Sequence, residues 1–333
     1  MPNKKELRTD KIENLLPLIN ASFIPGECFR SIEAIENHDQ KEVALANYYQ
    51  LTMNSEEAIA KAKPYIKHED QYLRISACIT LFFASLNMGD KKTASAALSE
   101  LESVELESDL FGGTHFAETI KNMLFSKGEN FVLESKALKR LPEGVRYYIS
   151  YFFALHELLR GRTEEALGIA KSALLFGRSK NPIIAIYLNI ILGAAYTFLK
   201  DFDKADAYYK AAWDMAYPDK FLSPFVQQSL LIFGFDRKYI KENHPNEYKL
   251  IGDYVKGYLP AWGALSENIN WFSHSEVSRM ELVVGVLFKH GFSVKEISSV
   301  LMISPNTVKT HLMAMRQKTG AANRNETLKI HVE

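Results

Sequence analysis

Residues 186–218 read IYLNIILGAAYTFLKDFDKADAYYKAAWDMAYP. Leu192-Gly193 and Tyr196 lie in the first half, Phe202, Ala205, Tyr209 and Ala212 in the second, and Pro218 follows. The apolar positions recur at helical spacing in both halves, so the stretch predicts two antiparallel helices closed by a proline. Gly193 and Ala205 are small where such helices approach most closely. A larger side chain at either position would hold the pair apart.

The same hairpin can be laid elsewhere by anchoring on the Ala205 position. It falls on Ala166 (with Ala154, Gly161 and Ala173), on Ala94 (with Phe82, Gly89 and Leu101) and on Ala58 (with Ala46 and Ala62). A weaker copy falls on Leu133, preceded by Gly128. Successive anchors are 36, 39, 33 and 39 residues apart, the length of one helical hairpin. Each such unit buries its apolar stripe against the next, which predicts an α-solenoid with nearest-neighbour cohesion. The alternative is an irregular helical domain whose hairpins share a length.

Residues 186–218 resemble the tetratricopeptide pattern. That resemblance implies a concave face lined by first-helix residues: Tyr148, Tyr151 and Leu155 in one hairpin, Tyr187, Ile190, Ala194 and Phe198 in the next, and Phe83 further back. Such a groove is aromatic and weakly charged, suited to an apolar small molecule, a peptide or a protein segment as effector. The competing reading is that these rings fill the core, as aromatic stripes at helical spacing usually do.

The chain has 333 residues, enough for two or three domains. With 47% hydrophobic and 24% charged residues it reads as globular and all-α, since period-2 alternation is scarce. Net charge is zero, so nucleic-acid affinity would need a local patch. From Trp271 onward eight Lys and Arg face five Glu, a local charge of +3. Cys28 and Cys78 fit neither a disulfide framework nor a thiolate metal site, and no cofactor is expected. Residues 1–8 are basic with no apolar stretch behind them, which argues against a signal peptide. The apolar run 182–199 is interrupted by Asn189, Gly193 and Thr197, so it reads as a repeat helix and no membrane partner is expected. A reducing cytoplasm follows as the expected compartment.

After Pro218 the repeat fades, although residues 221–233 and 246–255 still read as helices. Pro245, Gly252, Gly257, Pro260 and Gly263 then accumulate, which divides the chain into a repeat region 1–256, a junction 257–272 and a last domain 273–333.

In that last domain, Ser278 with Glu281, Ser293 with Glu296 and Asn323 with Glu326 have capping-box spacing. Ser304-Pro305 offers a fourth start, a capping hydroxyl before a proline at the first helical position. The predicted helices span 279–289, 294–301, 305–318 and 324–330, with Gly291 and Gly320 as stops. Along the third, Val308, Leu312 and Met315 share one face, and Asn306, Lys309, Thr310 and Met313 share the other. Short helices with tight turns make a helix-turn-helix.

Residues 277–327 resemble the LuxR (GerE) type of helix-turn-helix. The matching residues include Glu281, Gly291, Lys295-Glu296-Ile297, Leu301, Ser304, Thr307-Val308-Lys309-Thr310-His311, Lys318, Gly320 and Asn323-Arg324. The segment departs from the family at Met280, Val283, Gly285, Val294 and Thr319, and Met313 takes a place where some members carry a basic residue. The resemblance implies double-stranded DNA as partner. Lys309 and Thr310 are then candidates for base edges with Asn306 and Met313 beside them, while Lys295, Thr307 and Arg316 would meet phosphates. One such unit cannot select a genomic site alone, so a homodimer on two half-sites is expected. Its contact would come from the last helix through Thr327, Ile330 and His331.

No phosphate loop is present, and His156-Glu157 lacks the second His of a zinc protease helix, so an enzyme is not expected. The expectation is a transcriptional regulator whose repeats sense an effector. The alternative is a repeat scaffold whose terminal unit binds protein instead of DNA.

Overall fold

The computed structural model describes Leu18 and residues 21–104, 143–177, 181–265 and 277–320. These residues are helical with no strand among them. After a short α1 (Cys28–Glu33), four hairpins follow: α2 (His38–Leu51) with α3 (Ser55–Ala62), α4 (Gln71–Asn87) with α5 (Lys91–Glu102), α6 (Glu143–Leu159) with α7 (Thr163–Gly177), and α8 (Pro182–Phe198) with α9 (Phe202–Ala216). Each pair packs on itself and then on its neighbour, α3 on α4 and α7 on α8.

The four hairpins turn in one way. Met53, Gly89, Gly161 and Lys200 all adopt left-handed backbone at the turn, with φ of 66°, 72°, 81° and 60°. At each, the residue's N–H bonds to the carbonyl three back and the next N–H to the carbonyl five back, as in Met53 to Gln50 and Asn54 to Tyr49. This is the Schellman closure, which satisfies the last carbonyls of the first helix. The second helix begins two residues after the left-handed residue every time, and Ala58, Ala94, Ala166 and Ala205, five residues after it, are all buried. The sequence frame and the backbone frame therefore coincide at these four copies. The weaker copy at Leu133 lies outside the described residues.

Within the last hairpin a Cβ on Gly193 would come within 2.5 Å of the Tyr209 ring, so only glycine admits that ring. Helix α8 is apolar on every side and is buried along nearly its whole length. That is the pattern of a central helix with neighbours all round. Among the described residues no helix is long and apolar enough to cross a membrane.

Two expectations change beyond Pro218. Residues 221–233 do not form one helix: α10 (Ser223–Gln227) is followed by turns up to a π-helical turn at Asp236–Ile240. Left-handed Gly234, φ 79°, ends the turns. The Gly and Pro residues expected to open the junction also lie within a helix, since α11 (Pro245–Leu265) runs unbroken through Gly257 and Pro260. Burial outweighs the local cost of those residues. A Cβ on Gly257 would meet the amide nitrogen of Gly89 at 3.5 Å, and α11 lies against α4, α5 and α10.

The start and end of the stack touch. The carboxylate of Asp219 accepts from the amides of Gly26 (2.5 Å) and Cys28 (3.1 Å). Gln50 donates to Ser223 Oγ, and Tyr254 to the Met53 carbonyl.

Candidate nucleic-acid interface

Three helices form the last described unit: α12 (Arg279–Lys289), α13 (Val294–Leu301) and α14 (Pro305–Thr319). Both expected capping boxes form. Ser278 accepts from the Glu281 amide while Glu281 accepts from the Ser278 amide, and Ser293 with Glu296 does the same. Gly291 and Gly320 are left-handed, as the stops required, and so is Met302 between α13 and α14. The third capping box, at Asn323, and the helix expected over 324–330 lie outside the described residues.

Helix α14 begins as its first residues dictate. Ser304 Oγ accepts from the Thr307 amide at 3.0 Å, and Pro305 takes the first position. Val308, Leu312 and Met315 are buried, as are Leu282, Val286, Leu287, Phe292, Ile297 and Leu301 of the same unit, and all belong to a core continuous with that of the hairpins. Inside it Glu281 is 6% exposed and takes both hydrogen bonds from Lys318 Nζ, at 3.0 and 2.8 Å. Burial pushes the Glu281 carboxyl up, but Lys318 and the Ser278 amide outweigh it and hold the group below its usual value. This pair ties α12 to the end of α14.

The opposite face of α14 is open. Asn306, Lys309, Thr310, Met313 and Arg316 are all exposed, and so is Lys295 on α13. Thr310 turns its hydroxyl onto the Asn306 carbonyl at 3.0 Å. Met313 is 62% exposed. Arg316 lies over the Phe288 ring at 5.8 Å. Thr307 is half-buried and its hydroxyl shares the cap with Ser304 at 2.8 Å. Thr327, Ile330 and His331 lie outside the described residues.

Residues 276–330 match GerE, "Bacterial regulatory proteins, luxR family". The segment is a LuxR-type helix-turn-helix domain. No curated protein and no solved structure matches the chain. The match covers about a sixth of the sequence and implies DNA binding for the LuxR-type domain, in keeping with a transcriptional regulator. It does not extend to the hairpins.

The side chains expected along a concave groove are placed differently. Tyr148, Tyr151, Tyr187 and Phe83 are buried, 3–8% exposed. Tyr151 packs on Tyr148 and Tyr187 at 5.9 and 5.0 Å between ring centres. Phe83 stacks on Trp262, and Trp262 on Tyr258, both from α11. Burial drives the hydroxyls of all three groove tyrosines, and of Tyr258, to higher pKa, so they stay protonated. Phe198 is elsewhere. It lies flat on His290 of the LuxR-type domain, with centres 3.7 Å apart.

That stack is one of several contacts between the hairpins and the LuxR-type domain that sequence reading missed. Arg279 Nη1 donates to Asp236 at 2.9 Å, and its Nε and Nη2 both donate to the Ser229 carbonyl. The Val300 carbonyl sits where a Cβ on Gly234 would be, only 2.0 Å from it. Lys200 pairs with Glu296 and lies over the Phe292 ring. One signal was available. Arg279 is the first residue of α12, at the positive end of the helix dipole, where a cation is unfavourable without an outside partner.

Proposed function

We propose that the chain is a transcriptional regulator whose hairpin repeats, of tetratricopeptide type, receive an effector and govern a LuxR-type domain that reads the major groove as a homodimer. The open face of α14 carries this reading: Asn306, Lys309, Thr310 and Met313 are exposed together, backed by a packed Val308, Leu312 and Met315. In the proposal Lys309 donates to a guanine edge, and the Thr310 methyl and Met313 lie against thymine methyls. Asn306 flanks them. Lys295 and Arg316 hold phosphates, with Ser304 and Thr307 fixing the helix start beside the backbone. The second half-site is read by a second copy, joined through Thr327, Ile330 and His331. The compartment is the cytoplasm, where such a target lies.

For the effector, packed tyrosines favour a protein or peptide over a small molecule. An open slot would suit a small ligand, whereas here α11 already lies along α4 and α5 with Tyr258 and Trp262 turned in. A helical segment of a partner is the kind of group that could replace one.

A salt titration on duplex DNA tests the reading. With about three or four phosphate contacts, log affinity should fall against log salt with a slope of roughly −3. Lys309→Ala should weaken a selected site by about 1–3 kcal/mol and random DNA far less. Equal losses on both would demote Lys309 to a phosphate contact. No duplex binding at any salt would replace the regulator with a protein-binding scaffold.

A further inference from the structure

One short piece of chain, residues 227–236, contacts both the LuxR-type domain and the central tyrosines, beside the separate contacts that Phe198 and Lys200 make to the domain. At one end of residues 227–236, Tyr187 donates to Gln227 Oε1 at 2.8 Å, and Gln228 Nε2 donates to the Tyr151 hydroxyl at 2.5 Å. The next residue, Ser229, gives its carbonyl to two nitrogens of Arg279, at 3.1 and 2.8 Å. Tyr209 donates to the Leu231 carbonyl, and Phe233 packs on Phe198. Gly234 then seats the Val300 carbonyl, and Asp236, 4% exposed, takes the remaining Arg279 nitrogen.

The piece has little helix of its own, since α10 ends at Gln227 and turns follow. Its position is therefore set by partners on both sides. On one side are the phenol hydroxyls of Tyr151, whose ring lies against Tyr148, and of Tyr187, whose ring lies against Tyr151, both within electrostatic reach of Tyr258 on α11. On the other are Arg279 and the end of α13. Turn backbone can shift between its partners without breaking a run of helical hydrogen bonds, as a continuous helix cannot.

We propose that residues 227–236 couple the centre of the hairpin stack to the LuxR-type domain, with Arg279 and Asp236 as positioning residues that fix how α14 is presented. This rests on the regulator reading above and supplies its regulation. A partner segment that displaces Tyr258 repacks its neighbours Tyr151 and Tyr187. Their hydroxyls release Gln227 and Gln228, the Ser229 carbonyl moves off Arg279, and the domain leaves its seat on Gly234. The held state keeps the reading face of α14 outward, because the contacts with the stack come from α12, α13 and the turn between them. Release changes the orientation of that face, and with it the spacing of two half-sites that a dimer can span.

A spin-label pair at Glu165→Cys on α7 and Gln317→Cys on α14, both exposed positions, tests this on the full chain without DNA. The native Cys28 and Cys78 are buried. The parent should give one narrow distance. Arg279→Ala and Gly234→Ala should lose it with helix content retained. Tyr151→Phe and Gln228→Ala should also lose it, and Tyr151→Phe should add nothing in the Arg279→Ala background. Tyr65→Phe removes a phenol bond to Asp39 away from this piece and should leave the distance intact. A narrow distance in Arg279→Ala and Gly234→Ala would overturn the seat itself. A narrow distance in Tyr151→Phe and Gln228→Ala alone would overturn the coupling. Because the readout needs no DNA, neither result can be confused with failure of the salt titration.

Discussion

Among the described residues, His290 is a side chain whose charge state a fall in pH would change. Burial, and Lys289 beside it, lower its pKa from the ordinary 6.5 to about 4, and Phe198 covers its ring from the stack. The folded protein therefore holds it neutral in a range where the unfolded chain would protonate it. Its contribution is fully present above pH 6.5 and is lost as pH falls towards 4. At pH 5 the loss should be roughly 1–2 kcal/mol. Glu296 does not confuse the result. The hydrogen bond from Lys200 and those from Ser293 bring it down to about 2, so its ion pair persists through that window. Thermal melts at pH 7 and pH 5 should show a smaller difference for His290→Phe than for the parent. An unchanged difference would place His290 outside the contact.

At the scale of the helix, two glycines with the same substitution should give opposite signs. On Gly193 a Cβ would strike the Tyr209 ring, which cannot yield because it stacks on Phe235 and donates to Leu231. Gly193→Ala gains about 1 kcal/mol of helix propensity but should lose more to overpacking, commonly about 1–3 kcal/mol. A Cβ on Gly168 in α7 meets nothing within 4 Å, so Gly168→Ala should stabilise by about 0.5–1 kcal/mol. Denaturant midpoints read both, and Gly193→Leu should also broaden the transition more than a change at Lys210. The same two causes, propensity and burial, explain what the sequence disclosed. Helices α12 and α13 have the predicted ends, and α14 runs one residue past its prediction, because caps, a proline and stop glycines are local signals. The hairpin frame was legible because Ala58, Ala94, Ala166 and Ala205 must be small. Helix α11 was not, since its Gly257 and Pro260 are local breakers overruled by burial. Its signature was present all the same in Tyr254, Tyr258 and Trp262, which recur every four residues. The exposed face of α14 followed from period alone, whereas the partners of Arg279 needed the tertiary fold, fifty residues away in sequence.

Across the whole molecule, stability should be less local than a free-ended solenoid implies. Asp219 joins the last described hairpin to the chain before α2, and its carboxyl is raised by burial against the two amides that lower it. Asp219→Ala would orphan the amides of Gly26 and Cys28, at about 1–3 kcal/mol each. The expected outcome is a lower midpoint and, by hydrogen exchange, lost protection in both α1 and α10. Loss in only one would mean that the two ends act separately. The join bears on how such a protein could change over time. A solenoid with open ends can gain or lose a hairpin by duplication, since each unit answers only to its neighbours. Here an added hairpin would carry Asp219 away from Gly26 and Gln50 away from Ser223. The number of units is thereby fixed by the meeting of the ends, and new specificity has to come by substitution inside the existing frame.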